Sequence, residues 1–168
     1  LSLSDKKKEL QKLQASAKSA NHILGVEKLI LKHFPDNQFD SVPLLKIIQC
    51  IEDVIEEFKP SVIYTHSPKD LNIDHVLIHE AVKTAARPLS FSPISQVLSF
   101  EVASSTEWSF RHDRVFCPSF FIDVSASFEQ KLNALEAYAQ EIRDFPHPRS
   151  IAYIEALAKV RGGMIGYA

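Results

Sequence analysis

The chain has 168 residues, a length that suits one domain with a core of its own. Its 19 lysines and arginines nearly balance its 21 aspartates and glutamates, so the sequence indicates no basic surface for nucleic acid. No apolar run approaches the roughly 20 residues that cross a bilayer. We therefore predict a single domain over residues 1–168, with no nucleic-acid partner and no membrane span.

Cysteine, glycine and methionine usage narrows the class of protein. Cys50 and Cys117 lack the spacing of a thiolate metal site, so a reducing, cytoplasmic location is the default. Glycine occurs at only 4 positions, and none of them belongs to a Gly-rich phosphate loop. The single methionine is Met164, so we expect residues to precede Leu1 in the complete protein.

Helical and strand patterns alternate along the chain. Apolar residues at helical spacing predict helices over 6–24, 44–58, 74–87, 128–145 and 151–163. Short apolar runs predict strands over 26–34, 61–65, 96–102 and 119–124. This alternation predicts an α/β protein, with a Rossmann-like three-layer fold and a mostly parallel sheet flanked by helices.

Polar residues mark the expected helix starts. Asp40 or Ser41 can cap the helix that begins near residue 44. Ser127 and Gln130 form a capping-box pattern before the helix predicted over 128–145. Ser150 is the expected cap of the helix predicted over 151–163. These assignments fix where the loops lie.

A polar cluster, HSPKDLNIDH at residues 66–75, follows the predicted strand 61–65. In parallel sheets, ligands bind beyond the carboxyl ends of the strands, so this cluster is a candidate site. Asp74 and His75 allow two interpretations. Asp74 can simply cap the helix and complement its dipole. Alternatively, it can be a carboxylate that fixes the tautomer of a metal-binding imidazole. The residues alone leave both interpretations open.

The other histidines give weaker signals. His75 and His79 share one helix face at i, i+4, but a HExxH metalloprotease motif needs glutamate where Val76 stands. We therefore interpret His79 as solvated or supporting. Three further histidines have no acidic partner at useful spacing and are interpreted as structural: His22, His33 and His112.

Six segments occur together in a fixed order: LGV (24–26), FPDNQFDSVPL (34–44), KPSVIYTHSPKDLNIDH (59–75), EAVKTAARP (80–88), FEVASSTEW (100–108) and FPHPRSIAYIEALAKVRGGMIG (145–166). In combination they resemble the LmbE/PIG-L family of zinc-dependent N-acetylsugar deacetylases, in particular its bacterial branch. The resemblance implies a hydrolase that removes an N-acetyl group from a small N-acetylglucosamine-type substrate by zinc-activated water. It also implies self-association into a homo-oligomer, as in many members.

The resemblance assigns roles within the polar cluster. His75 looks like one Zn²⁺ ligand, and Asp74 looks like the carboxylate that orients it. Asn72 stands where many members have a histidine, and it can still donate a hydrogen bond to an oxyanion. His66, at the end of the strand, is our candidate for the group that protonates the departing amine. Five residues are candidates for substrate contact: Asp36, Arg87, Ser104, Ser105 and Arg149.

The family's remaining ligands and its general base lie in an Ala-His-Pro-Asp-Asp-Glu motif that this sequence does not contain. We therefore expect an N-terminal strand and that motif to be missing, and a loop to be missing between Asp5 and Lys6. The fragment alone is then expected to be inactive.

Two alternatives to a deacetylase stay open. One is a non-catalytic sugar- or nucleotide-sugar-binding domain that has kept the fold and lost the metal. The other is an α/β domain whose polar loop serves as an interaction surface. Metal content separates the enzyme from both.

Overall fold

The structure is a computed structural model that describes residues 3–89, 92–110, 113 and 115–167. The chain forms two compact units, one of residues 1–32 with 118–168 and one of residues 33–117. We call them the terminal unit and the central unit. None of the helices in the described ranges is long and apolar enough to cross a membrane. One domain over 1–168 stays a prediction.

The regular elements are, in chain order, α1 (Leu3–Ile23), α2 (Leu44–Phe58), β1 (Val62–His66), α3 (Ile73–Ala85), β2 (Gln96–Phe100), α4 (Phe128–Glu136) and α5 (Ile151–Gly163). Short 3₁₀ turns cover Phe39–Ser41 and Glu107–Ser109. The central unit therefore contains α2 to β2, and the terminal unit contains α1, α4 and α5.

In the central unit, α2 packs against α3 through a small apolar core. Ile47 and Ile48 of α2 and Ala81 of α3 are buried there, as the helical spacing of apolar residues in α2 predicts. Partly buried apolar side chains surround these three residues: Phe34, Phe39, Val42, Ile51 and Ala85.

Strands β1 and β2 run parallel, from the Val62–Gln96 pair to the His66–Phe100 pair. Because α3 lies between them in sequence, β1, α3 and β2 form a βαβ unit, the usual connection of parallel strands. Both strands therefore end at the same edge, at His66 and Phe100. The predicted α/β class, with a parallel sheet and flanking helices, is confirmed.

In the terminal unit, α1 packs against α4. Ala20 of α1 and Ala134 of α4 are buried, and the Gln130 side-chain amide donates a 2.6 Å hydrogen bond to the Ile23 carbonyl at the end of α1. The predicted cap of α5 is confirmed, because the Ser150 hydroxyl oxygen accepts a hydrogen bond from the Tyr153 N–H at 3.1 Å.

Two predicted strands do not form. Residues 26–34 and 119–124 have the right apolar composition, but no described residue pairs with their backbone in a ladder. A strand needs a partner as well as a suitable sequence, and composition does not report whether one is present. Several apolar side chains of these two segments are consequently exposed: Val26, Ile30, Leu31, Phe120, Ile122 and Val124.

Some predicted helix boundaries are wrong as well. Asp40 and Ser41 lie in a 3₁₀ turn, and Pro43 occupies the cap position of α2. Ser127 precedes α4 without a side-chain cap, and its hydroxyl and its N–H both donate to the Val124 carbonyl, at 3.3 and 2.9 Å. Helix α4 ends at Glu136 instead of residue 145, and the chain continues in turns.

Candidate active site at the end of strand β1

The site is built from the loops that follow β1 and β2 and from the first turn of α3. Parallel strands bring these loops to one sheet edge, and the Leu71 N–H donates a 3.3 Å hydrogen bond to the Ser105 carbonyl between them. The Asn72 side chain caps α3 by accepting a hydrogen bond from the Asp74 N–H at 2.8 Å. The predicted site loop is therefore connected to the loop after β2 and to the first turn of α3.

Asp70 is the most deeply buried carboxylate of this edge, with 3% of its surface exposed. It accepts hydrogen bonds from the Ser105 hydroxyl, from the Thr106 hydroxyl at 2.8 Å and from the Asn72 N–H at 2.9 Å. A buried charge is tolerable when it is hydrogen-bonded in this way. Asp70 thus carries a localised negative charge inside the site.

The pKa of Asp70 follows from two opposing effects. Burial opposes ionisation and raises the pKa, whereas the hydrogen bonds from Ser105, the Asn72 N–H and Thr106, together with the nearby His75, lower it. The net pKa lies below its ordinary value of 3.8. Asp70 is therefore ionised throughout the neutral range.

His75 lies directly beside this charge. Its Nδ1 is 3.1 Å from Asp70 Oδ1, although the approach angle falls outside hydrogen-bond geometry, so we treat the contact as electrostatic. Its side chain is 20% exposed. A proton on Nδ1 relieves the repulsion between the ring nitrogen's lone pair and the carboxylate, which leaves Nε2 with an available lone pair.

His66 stacks on His75, with ring centroids 4.1 Å apart and planes 19° from parallel. Burial, reinforced by the neighbouring His75, lowers the pKa of His66 to about 4, and the opposing effect of Asp70 is smaller. His66 is therefore neutral at pH 7. Its Nδ1 is buried without a hydrogen-bond partner among the residues that the structure describes, and the His79 Nδ1 lies 2.9 Å from the His66 carbonyl. His79 thus has the supporting position predicted for it.

In the structure the Asp74 carboxylate contacts backbone groups, and its role as the carboxylate that orients His75 stays a prediction. Its two carboxylate oxygens accept hydrogen bonds from the Asn37 N–H at 2.7 Å and the Phe39 N–H at 2.9 Å. Asp74 therefore anchors the turn of residues 37–39 to the start of α3. Within that turn, Asn37 has a φ of 53°. Asp70 holds the position beside His75 instead.

The predicted substrate contacts lie at different places. Asp36 is exposed and accepts a 3.1 Å hydrogen bond from the Asn37 side chain, whose oxygen in turn accepts one from the Asn72 amide at 3.1 Å. Arg87 pairs with Glu52 at 2.9 Å, on the surface where α3 ends. Asp36 is thereby connected to Asn72 through one side chain, whereas Arg87 is engaged by α2.

The remaining predicted contacts differ in their burial. Ser104 and Ser105 are each only 8% exposed, and Ser105 uses its hydroxyl on Asp70. Arg149 belongs to the terminal unit, where it pairs with Glu141 at 2.6 Å. His112 lies outside the described residues. Substrate contact by these residues stays a prediction.

Asp70 and Thr106 are the residues that the sequence analysis missed. Asp70 stood in the HSPKDLNIDH cluster but received no role, because His75 has a nearer carboxylate in the sequence. Thr106 stood in the FEVASSTEW segment without a role. The available signal was topological: parallel strands place the residues after β1 and after β2 at the same edge.

The chemistry of His75 fits a metal ligand. A neutral imidazole with a carboxylate at one nitrogen and a lone pair at the other is the usual arrangement at zinc sites. Within residues 3–89, 92–110, 113 and 115–167, no three metal-binding side chains converge on one point. The described residues therefore offer no complete metal site, and His75 as a Zn²⁺ ligand with Asp70 behind it stays a prediction.

The fold and the site together define an α/β protein whose polar site lies beyond the carboxyl ends of parallel strands. Residues 2–86, just over half of the chain, match the PIG-L family, described as GlcNAc-PI de-N-acetylase. The chain belongs to this family, and membership supports a deacetylase-type hydrolase.

A solved structure agrees with the fold. The chain is similar to the conserved protein TT1542 from Thermus thermophilus, with a TM-score of 0.73 and 19% sequence identity. The match covers 94% of this chain and 69% of that one. At this identity the likeness supports the fold alone. A search of curated proteins found no match.

Proposed function

We propose that the protein acts as a zinc-dependent hydrolase that removes the N-acetyl group from a small N-acetylglucosamine-type substrate. The carrying observation is the Asp70–His75 pair, a buried carboxylate 3.1 Å from an imidazole nitrogen beyond the end of β1. The description of the matching family as GlcNAc-PI de-N-acetylase supports the amide bond and the amino-sugar class.

His75 would hold the metal through Nε2, with Asp70 keeping the proton on Nδ1. When bound, zinc supplies Lewis-acid activation of water and of the amide carbonyl. A catalytic zinc site uses three protein ligands, so the proposal requires two that the described residues do not include. The family resemblance implies that they come from an Ala-His-Pro-Asp-Asp-Glu motif, which the sequence given does not contain.

Asn72 and His66 are the polar groups next to His75 that can act on the substrate. The Asn72 oxygen caps α3, and one of its two amide hydrogens is used on Asn37. The other can donate to the carbonyl oxygen as negative charge develops there. His66, neutral at pH 7, holds almost no proton to give at first. Once it has taken up a proton during the reaction, it can give that proton to the departing amine.

Substrate contact is assigned to the exposed Asp36, which the Asn37 side chain connects to Asn72, with Arg87, Ser104 and Arg149 as further candidates. Sugar hydroxyls are donors that a carboxylate such as Asp36 accepts well. A cytoplasmic location and a homo-oligomeric state belong to this proposal too.

The test compares the intact protein with His75→Ala, using His22→Ala on the exposed surface of α1 as the matched control. We expect wild type and His22→Ala to copurify with zinc and to release acetate from N-acetylglucosamine derivatives. His75→Ala should lose zinc and at least about 100-fold in rate. Full turnover by His75→Ala would overturn the proposal.

The same preparation tests the non-catalytic alternative. Its supporting observation is that no three metal-binding side chains converge among the described residues. An intact protein that binds the amino sugar but contains no zinc and releases no acetate would favour a sugar-binding domain. That outcome would exclude the hydrolase.

A further inference from the structure

The loop after β2 has an unusual construction for a surface connection. Ser104 has a φ of 68°, in the left-handed region where residues other than glycine are uncommon. The Glu107 carboxylate holds this turn by accepting the Ser104 N–H at 2.6 Å and the Ser105 N–H at 3.3 Å. The turn brings Ser105 and Thr106 to face Asp70, and both are at least 92% buried.

The Thr106 hydroxyl is used in both directions. It donates to Asp70 Oδ2 at 2.8 Å and accepts from the Val102 N–H at 2.7 Å. The Val102 N–H thereby fixes the hydroxyl oxygen of Thr106, whose hydrogen points at Asp70. The Ser105 hydroxyl donates to the other carboxylate oxygen, Oδ1. Each oxygen of Asp70 is thus held by its own hydroxyl.

We propose that Ser105 and Thr106 are positioning residues that hold Asp70 against His75, so that His75 keeps its proton on Nδ1 and presents Nε2 outward. Ser105 Oγ, the Asn72 N–H and His75 Nδ1 all contact Asp70 Oδ1, so the bond from Ser105 contributes to where that oxygen lies. This assigns Ser105 a part different from substrate contact. The inference rests on the proposed function only where it concerns zinc.

The electrostatic reason is direct. A carboxylate fixed about 3 Å from Nδ1 disfavours the tautomer whose lone pair faces it, since the two negative ends would repel. If Asp70 rotates away, that preference falls and the two tautomers approach the ratio of a solvated imidazole. A ligand that needs the Nε2 lone pair then binds less tightly.

The variants remove one hydroxyl each: Ser105→Ala, Thr106→Val and the double variant, with Asp70→Asn as the reference for loss of the charge. Thr106→Ser keeps the hydroxyl and should behave like wild type, which guards against an effect of packing. Ser99→Ala on β2 and Thr84→Val on α3 remove exposed hydroxyls of the same kind elsewhere and serve as controls.

The first measurement is ¹⁵N NMR of the His75 ring in the metal-free intact protein, at one pH where the ring is neutral. We expect wild type, Thr106→Ser and both controls to show a protonated Nδ1. Ser105→Ala and Thr106→Val should move toward mixed tautomers, and the double variant should approach Asp70→Asn. If Ser105 and Thr106 only stabilised the loop, removing their hydroxyls would lower the free energy of unfolding without changing the ¹⁵N shifts of the His75 ring.

The second measurement is Zn²⁺ affinity by competition with a chelator. The hydroxyl-removing variants should bind about 10–100-fold more weakly, and the controls should not change. A protonated Nδ1 in every variant would overturn the proposal. Tautomer shifts in the variants without zinc binding to wild type would support the positioning part and contradict the proposed function. Failure of the positioning proposal can therefore be distinguished from failure of the proposed function.

Discussion

A single carboxylate decides how the site is understood. Asp74 stands next to His75 in the sequence, but a helix turns its side chain about 100° per residue, so neighbours face different directions. Asp70 reaches His75 because the loop folds back before α3 begins. Asp74 instead receives two backbone N–H groups of the 37–39 turn. Asp74 therefore stabilises the fold, whereas the adjacent His75 belongs to the candidate site.

The structural part of Asp74 can be tested by Asp74→Ala. The substitution leaves the Asn37 and Phe39 N–H groups without their charged acceptor, which should lower the free energy of unfolding by about 2–4 kcal/mol. Urea unfolding measures the loss. Asp53→Ala, an exposed carboxylate of α2, is the matched control and should change little. Equal effects of the two substitutions would contradict the anchoring part of Asp74.

His66 gives a prediction on pH. Its pKa of about 4 in the folded state lies below the ordinary value of 6.5, so the folded state resists protonation. Above pH 6.5, His66 is neutral in both the folded and the unfolded state, so it does not lower the free energy of unfolding. As the pH falls from 6.5 to 4, the unfolded state gains the proton first and stability drops, by at most about 3 kcal/mol below pH 4.

The measurement is urea unfolding between pH 7 and pH 4 with EDTA present, comparing wild type with His66→Asn. We expect a flatter dependence in the variant, because it lacks the group that binds protons in the unfolded state. An identical slope in both proteins would show that His66 is not held neutral.

At the scale of elements, helices were more predictable than strands. The apolar stripes of α1 and α2 carry their own period, and α2 indeed buries Ile47 and Ile48. A strand gains its hydrogen bonds from another part of the chain, so a segment such as 119–124 can look like a strand and remain unpaired. Strands β1 and β2 formed because α3 returns the chain parallel to its start.

The same distinction between local patterns and distant partners applies to the candidate site. Its place at the end of β1 could be predicted, since that depends on the order of elements. The partner of His75 could not, because Asp70 depends on the path of one loop and on hydroxyls 35 and 36 residues away in the sequence. Helix caps were unreliable because they depend on the backbone path before the helix: the Ser127 hydroxyl, the predicted cap of α4, donates to the Val124 carbonyl instead.

The two serine caps provide a matched prediction. Ser150 is 3% exposed and accepts the Tyr153 N–H, whereas Ser127 makes no cap bond to α4. We expect Ser150→Ala to lower the free energy of unfolding by about 1 kcal/mol and Ser127→Ala by clearly less. Thermal or urea unfolding of both variants decides it. The reverse order would mean that the capping-box pattern at Ser127 outweighs the geometry seen here.

At the scale of the whole molecule, exposed apolar surface and a small net charge both favour association between copies of the chain. Parallel sheets usually have both faces covered, yet large apolar side chains on β1 and β2 are more than a third exposed: Val62, Tyr64, Val97 and Phe100. β1 pairs only with β2 among the described residues, which leaves its other edge unpaired there. A net charge of −2 gives little repulsion between copies.

These properties predict that the 168-residue chain associates as its concentration rises. Tyr64, 55% exposed on β1, lies where another backbone can pair, so Tyr64→Thr should weaken association while keeping a residue suited to a strand. Tyr167, 70% exposed but outside any strand, gives the control Tyr167→Thr. Sedimentation over a concentration series measures both variants. Equal weakening by both would attribute association to exposed aromatic surface in general, and no weakening by Tyr64→Thr would remove β1 from the contact.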